Sequence, residues 1–444
     1  MEVGTQLFFE YLGFASVSAD PALSTEMRAC ADWMSKLLNR WGMEAGVYET
    51  AGAPIIMAKS VAIEGKPTLL LYGHYDVQPA EPLDLWLSPP FEPEIRGGMI
   101  YARGATDNKG QTFSHLLGLR ELLSQGSLPL NVIVLLEGEE EIGSPNFQKF
   151  VEENRAALCC DAVLISDTSM IAPGKPALTL GLRGIACFDL VVQGPSADLH
   201  SGMYGGAVPN PALALAKVLA RMIADDGGIA IPGFDAEAFE ISSQELQSWE
   251  NLPWDEAWLE QATGIAPNGG EKGRPVLERL WARPTVEING LTSGYQGNGS
   301  KTIIPSLASA KLSCRLVPGQ DPDIIAGLVT EWVERELARE GVTGTALYDH
   351  GGKPFYTPPD NSFIQAASAA VDEVFGTAPA LTREGLSIPA AVMLQETLKV
   401  PVILLGLGLP DCQAHAPNES YPLAHLGLGA RVFQQIAARV AALG

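Results

Sequence analysis

Short apolar runs that lead into acids and histidines constrain this chain more than any other feature of it. Residues 68–72 (TLLLY) lead to His74 in YGHYDV, residues 131–136 to Glu141 in EGEEEIGS, and residues 162–165 to Asp167 in ISDTS. A fourth run, residues 400–405, precedes His415 in QAHAPNE. Continuous apolar runs of this length read as strands buried on both faces, the pattern of a parallel sheet. A doubly wound sheet gathers its ligands at the carboxyl ends of such strands. With Asp107 in GATDNKG, the four residues are expected to form one metal site.

Helical patterns at 27–41 (stopped by Gly42, with Ser24 or Thr25 as N-cap), 111–124 and 145–154 alternate with the runs and with extended segments at 45–50 and 54–61. That alternation predicts an α/β fold, a doubly wound sheet with helices on both faces. After Gly184 the order becomes strand 185–193, helix 210–222, strands 285–290 and 309–317, helix 321–340 and strand 343–349. This βαββαβ order is that of a ferredoxin-like unit. Residues 225–284, acidic and tryptophan-containing, are an insertion within it to which the sequence assigns no role. A helix at 362–375, the strand at 400–405 and a helix at 423–443 resume the first pattern. The expected organisation is a sheet domain built from residues 1–183 and 355–444, interrupted by a ferredoxin-like α+β domain at 184–354.

A chain of 444 residues with 46% apolar residues supports a substantial core. Its net charge of −23 argues against nucleic acid, whose phosphates require clustered Lys and Arg. The plainer reading is an acidic protein kept soluble by its charge. The amino terminus has no basic region ahead of its short apolar stretch and does not read as a secretory signal. No apolar run approaches the roughly 20 residues that span a bilayer. A cytoplasmic protein with no membrane partner is expected. The six cysteines form no CxxC pair and, lying mostly in apolar runs, read as buried free thiols.

His74 and Asp76 form an H-x-D pair whose carboxylate suits orienting an imidazole ligand, although a structural His–Asp pair fits equally well. Asp107, between Gly104 and Gly110, offers two oxygens, or else caps the helix that follows. Glu139, Glu140 and Glu141 resemble a solvated acidic patch. At a strand end, however, one Glu can bind metal while its neighbour reaches a water as general base. Asp167 fits a ligand, an N-cap or a turn residue. His115, His350 and His425 are assigned to packing or surface.

In their order, these segments resemble the superfamily of dinuclear metallopeptidases that includes aminoacylases, succinyl-diaminopimelate desuccinylases, bacterial glutamate carboxypeptidases and carnosine-type dipeptidases. The resemblance covers nearly the whole chain. It is closest to the carnosine and cytosolic nonspecific dipeptidase branch, through GHYDVQP, DLWLSPPFEP, YARGATDNKGQ, EGEEEIGS, GLRG, DLHSGMYGG, KTIIP and CRLVP. It implies that His74 and Asp167 bind one metal ion, Glu141 and His415 a second, and that Asp107 bridges them. Asp76 would support His74, Glu140 would act as general base and acid, and the Asp107–Asn108 peptide would be cis. His200 in the middle domain would polarise the substrate carbonyl, reaching the neighbouring subunit's site. Arg315, Thr302 and Ser387 match substrate-binding positions, with Arg315 suited to a bidentate hold on a carboxylate. The middle domain would then act as a lid and join two subunits in a homodimer.

The reaction expected is metal-assisted hydrolysis of a peptide amide bond in a small peptide. Two divalent ions per subunit are expected: zinc suits the nitrogen and oxygen ligand set, and manganese or cobalt can substitute. An N-acyl amino acid deacylase is the alternative enzyme, and a non-catalytic metal-binding relative the alternative class. Gly385-Leu386-Ser387 stands where relatives often read Gly-Gly-Ser, so Leu386 is expected to narrow or reshape the substrate pocket.

Overall fold

The computed structural model describes residues 2–385 and 388–444. A nine-stranded mixed sheet carries the strands in the order Glu44–Tyr48, Ile55–Lys59, Asn131–Glu137, Thr68–His74, Ala162–Ile165, Val402–Gly406, Ala177–Leu182 and Phe355–Tyr356. The ninth strand, Ala380–Glu384, also pairs with Ala177–Leu182. The four central strands are parallel, and Leu71 lies level with Val134 on one side and Leu164 on the other.

The burial explains why the central runs are apolar at every position. Leu69 and Leu71 enter one core, while Leu70 and Tyr72 enter the other. The first core is closed by helices Glu2–Leu12, Ser24–Arg40, Lys109–Ser124, Ser362–Phe375 and Leu423–Val440. The second is closed by Phe147–Glu153 and Pro389–Leu398. A side chain that loses either face leaves a cavity or an exposed apolar surface.

The all-parallel pattern stops at the edges. Ile55–Lys59 runs antiparallel to Asn131–Glu137, and Ala177–Leu182 antiparallel to Val402–Gly406. Ser24 and Thr25 also do not cap their helix. A 3-10 turn at Pro21–Leu23, capped by Asp20 accepting from the Ala22 amide at 2.9 Å, runs directly into Ser24. Among the cysteines, Cys30, Cys314 and Cys412 are buried, Cys160 and Cys187 are partly so, and Cys159 is exposed, since it sits beyond a helix end instead of within a strand.

The second sheet is four-stranded and antiparallel, in the order Thr285–Ser293, Leu307–Leu316, Gly184–Gln193, Thr343–Gly352. Numbered along the chain these strands lie 2-3-1-4, the arrangement of a ferredoxin-like unit. Ala186, Phe188, Leu190 and Val192 face helices Pro211–Arg221 and Pro322–Arg339, which gives Gly184–Gln193 its alternating burial.

The inserted segment 225–284 does not stay with the second sheet. Its helix Ser243–Trp249 packs on Ala380–Glu384 of the nine-stranded sheet. Glu245 and Arg383 form an ion pair there at 2.6 Å with both side chains almost wholly buried. Trp249 Nε1 donates to the Leu381 carbonyl at 2.9 Å, and Ser248 Oγ accepts from the Leu381 amide at 2.8 Å.

Candidate metal centre and active site

His74 is the last residue of its strand, and its buried imidazole points at two carboxylates. Nε2 lies 3.2 Å from Asp107 Oδ1 and 3.8 Å from Asp167 Oδ1. On the other side of Asp107, Oδ2 lies 2.9 Å from His415 Nε2, which is itself 3.4 Å from Glu141 Oε2. The result is two ligand groups, His74–Asp107–Asp167 and Asp107–Glu141–His415, each with donor atoms within 4.8 Å of one another. Asp107 belongs to both.

Local backbone geometry explains this convergence. Gly104 has φ +81°, where an L side chain is strained, and a Cβ on Gly110 would stand 1.9 Å from the Ala105 carbonyl oxygen. The Asp107–Asn108 peptide is cis. Asp107 does not cap helix Lys109–Ser124; Asn108 occupies that position, where its Oδ1 accepts from Thr112 Oγ1 of the helix but caps no helix amide. Asn108 Nδ2 instead donates to the Ser166 carbonyl and to Asp167 Oδ1, which ties the Asp107 and Asp167 segments together. Asp167 is thus neither an N-cap nor a plain turn residue. The loop bearing His415 has left-handed backbone at Gln413, His415 and Asn418, a conformation uncommon outside glycine and concentrated at functional sites.

Asp76 is fully buried and has two tasks. Its Oδ1 lies 3.4 Å from His74 Nδ1, and its carboxylate accepts the amides of Glu140 at 3.3 Å and Glu141 at 3.1 Å. Asp76 thereby orients the imidazole, whose Nδ1 is 3.0 Å from the Asp76 backbone carbonyl, and through its carboxylate the turn that presents the two glutamates. Glu139 takes no part in the cluster: it accepts from the Ala53 amide and from Asn146 Nδ2.

Electrostatics set Glu140 apart from its neighbours. Burial pushes its carboxyl up to about 8; the Asp167, Glu141 and Asp107 charges add to this and His74 opposes it. Burial alone would lower His74, but the Asp107, Asp167 and Asp76 carboxylates beside it hold it well above the usual histidine range. Asp107 and Glu141 push His415 up to about 10, and Asp107 is held below the usual carboxylate range despite its burial. The cluster thus stabilises positive charge at its centre. His74 Nε2 and Glu141 Oε1 are buried and accept or donate no hydrogen bond among the described residues. Orphaned buried donor atoms, an imidazole and carboxylates, and a field that favours positive charge all fit divalent cations.

The other sequence-identified residues lie apart from this cluster. His200 and Thr302 are exposed and adjoin each other in a small ladder, where His200 pairs with Ile303. Arg315 is partly buried on Leu307–Leu316 and lines a cavity with Arg183 and Arg279. Ser387 and Leu386 lie outside the described residues. His115, His350 and His425 lie outside both ligand groups; His115 is buried with Nε2 2.7 Å from Ser166 Oγ.

Three supporting residues escaped the sequence reading. Gln78 Nε2 donates to Glu141 Oε2 at 2.7 Å. Gln111 Oε1 accepts the amides of Leu407 and Gly408, and its Nε2 donates to the Thr106 carbonyl. Glu419 accepts the amides of Gly104, Thr106 and Asp107 and pairs with buried Arg103. Glu419 lies four residues beyond His415, and that spacing was the one available signal.

A model of peptidase family M20/M25/M40 matches residues 70–439. The Cys-Gly metallodipeptidase of Schizosaccharomyces pombe is 31% identical over 434 residues, covering 94% of this chain and 91% of that protein. The human Beta-Ala-His dipeptidase is 31% identical over 82% of this chain and 73% of its own length. Among solved structures, an M20 family metallo-carboxypeptidase from Sulfolobus solfataricus superposes with a TM-score of 0.79 at 30% identity, covering 100% of both chains.

Proposed function

The chain belongs to peptidase family M20/M25/M40 and is a metal-dependent peptidase, and from that premise we propose that it hydrolyses dipeptides at a two-ion centre. The observation that carries this reading is the sharing of Asp107 by two ligand groups, with Glu140 next to Glu141 and belonging to neither. His74 and Asp167 would hold one ion, Glu141 and His415 the other, and Asp107 both. Two divalent cations held there, zinc by preference and manganese or cobalt as substitutes, would supply Lewis acidity and lower the pKa of a water.

Within that frame, this chain's own groups have distinct tasks. The Glu140 carboxylate takes a proton from the attacking water and later donates it to the leaving amine nitrogen. Asp76 keeps His74 oriented. His200 donates toward the carbonyl oxygen as charge develops on it. Arg315, Thr302 and Ser387 hold the substrate's carboxylate end.

His200 and Thr302 lie on the exposed ladder, away from the ligand groups, which supports their serving a partner's site in a homodimer. Residues 1–183 and 355–444 would form the catalytic domain and residues 184–354 the lid and dimerisation domain. Among the described residues no helix is long and apolar enough to cross a membrane; a cytoplasmic location is part of the proposal. Relatives named as dipeptidases support a peptide substrate over an N-acyl amino acid.

The test is turnover by metal-reconstituted protein on matched dipeptides and N-acyl amino acids. Dipeptides are expected to dominate. Preference for the N-acyl panel would assign a deacylase, and no turnover of either would assign a non-catalytic relative.

A further inference from the structure

We infer that the tryptophan-lined cavity beside Asp167 is the specificity pocket for a cationic side chain on the substrate's amino-terminal residue, seated between indole faces and the Glu384 carboxylate. This rests on the dipeptidase reading above. The cavity measures about 360 Å³ and is lined by Trp254, Trp258 and Trp281, by Leu277 and Met170, and by Glu384. Four of these, Trp254, Trp258, Leu277 and Trp281, come from the insertion, which gives the 225–284 segment a use. Met170 lies three residues beyond Asp167, and Ser169, also in the lining, bridges to Gly408 ahead of the His415 loop. The cavity therefore adjoins the segments that present two of the candidate ligands.

Its chemistry is that of a cation site. Trp254 meets Trp281 edge-on at 5.6 Å between centroids and stands 6.2 Å from Trp258. Indole faces attract an ammonium or guanidinium group, most strongly where water is excluded. Among the described residues, Glu384 is the one acidic or basic residue in the lining. Thr179 Oγ1 donates to its Oε1 at 3.0 Å, and its other oxygen accepts no hydrogen bond from the described residues. Glu384 is only partly buried and lines the cavity, so its free oxygen is open to a cationic partner there. Desolvation and the nearby Asp167 charge push this carboxyl up to about 7, against the Thr179 bond. Leu277 and Met170 supply apolar surface for the methylenes of a lysine or arginine side chain.

The orientation follows from the charge on either side of one helix. Leu280 of Val276–Trp281 lines this cavity and also a second one, where Arg183, Arg279 and Arg315 outnumber the one acid, Glu287, among the described residues. The basic cavity suits the substrate's carboxylate end and the acidic, aromatic cavity its other residue. The buried Arg383–Glu245 pair holds the strand that ends at Glu384 against the insertion that supplies the indoles.

The experiment compares kcat/KM for Lys-Gly and norleucyl-Gly, equal in side-chain carbons and different in charge, on the metal-loaded full-length protein. Wild type is expected to favour Lys-Gly by about tenfold. Glu384→Gln should lower that ratio toward one, and Trp258→Ala, at a partly exposed indole, should lower it several-fold. Trp258→Ala keeps the test intact if Glu384→Gln does not fold. Equal or greater turnover of norleucyl-Gly by wild type, or a ratio unmoved by the substitutions, would overturn the pocket assignment while leaving dipeptidase activity standing. No turnover of Lys-Gly, norleucyl-Gly or Ala-Gly would overturn the dipeptidase reading, and the pocket assignment with it.

Discussion

Arg103 and Glu419 form a buried ion pair, with Nη1 2.8 Å from Oε2, that braces the loop carrying Asp107. The same carboxylate accepts three amides of that loop. Glu419→Gln removes the charge opposite Arg103 and is expected to cost about 3–5 kcal/mol, the usual consequence of stranding a buried charge. Urea unfolding measures it, and metal content should fall in parallel because Asp107 loses its support.

Glu140→Ala should lower kcat by about 10²–10⁴-fold, the range for loss of a general base. Both ions should be retained, because no ligand is removed. Elemental analysis with steady-state kinetics separates the two readouts; wild-type turnover in the fully loaded variant would sink the assigned role.

Chelation should abolish turnover and lower the melting temperature. A ligand present at 100 times its Kd stabilises the folded state by about 2.7 kcal/mol. The carboxylates around Asp107 repel one another without a cation, which adds to the loss. Replacing zinc or manganese should restore both activity and melting temperature.

His115 predicts an acid-side loss of stability. Burial pushes its imidazole down to about 4. Between the ordinary histidine value near 6.5 and this folded value, the unfolded chain binds a proton that the folded chain does not. Stability is therefore fully present above about 6.5, falls as pH drops through the window, and levels off below about 4, a loss of up to about 3 kcal/mol. His115→Gln should remove this slope while losing a constant amount from the Ser166 bond. Urea unfolding at several pH values for both proteins checks it.

If His200 serves the partner's site, inactive His200→Ala and Glu140→Ala proteins should complement when mixed and allowed to exchange subunits. A heterodimer then holds one site with both lesions and one with neither. Activity should recover to about a quarter of wild type for random exchange between equal amounts. No recovery despite demonstrated exchange would place His200 in its own subunit's site.

The site was legible because strand ends are legible. Continuous apolar runs mark buried parallel strands, and His74 and Asp167 follow two of them at the sheet edge where ligands collect. Glu419 was hidden because an acid in a polar loop looks solvated; only folding brings it to amides more than 300 positions earlier. Ala177–Leu182 and Ala380–Glu384 were missed although Pro and Gly bound both, because each is short and the two find each other across residues 184–354. The position of residues 225–284 was equally unreadable. Its anchor, Glu245 to Arg383, is an ion pair whose members are each ordinary surface residues by type.

The order in which the central strands arrive has a consequence for biosynthesis. Val402–Gly406 lies between Ala162–Ile165 and Ala177–Leu182, although it is nearly 240 residues later in the chain than the first of them. During translation the ferredoxin-like unit can finish folding while the larger sheet still has a gap at its centre. The loop with His415 emerges later still. A nascent or prematurely terminated chain consequently cannot assemble the candidate metal centre, and slow closure over such long sequence separations is expected to limit how soon the protein becomes active.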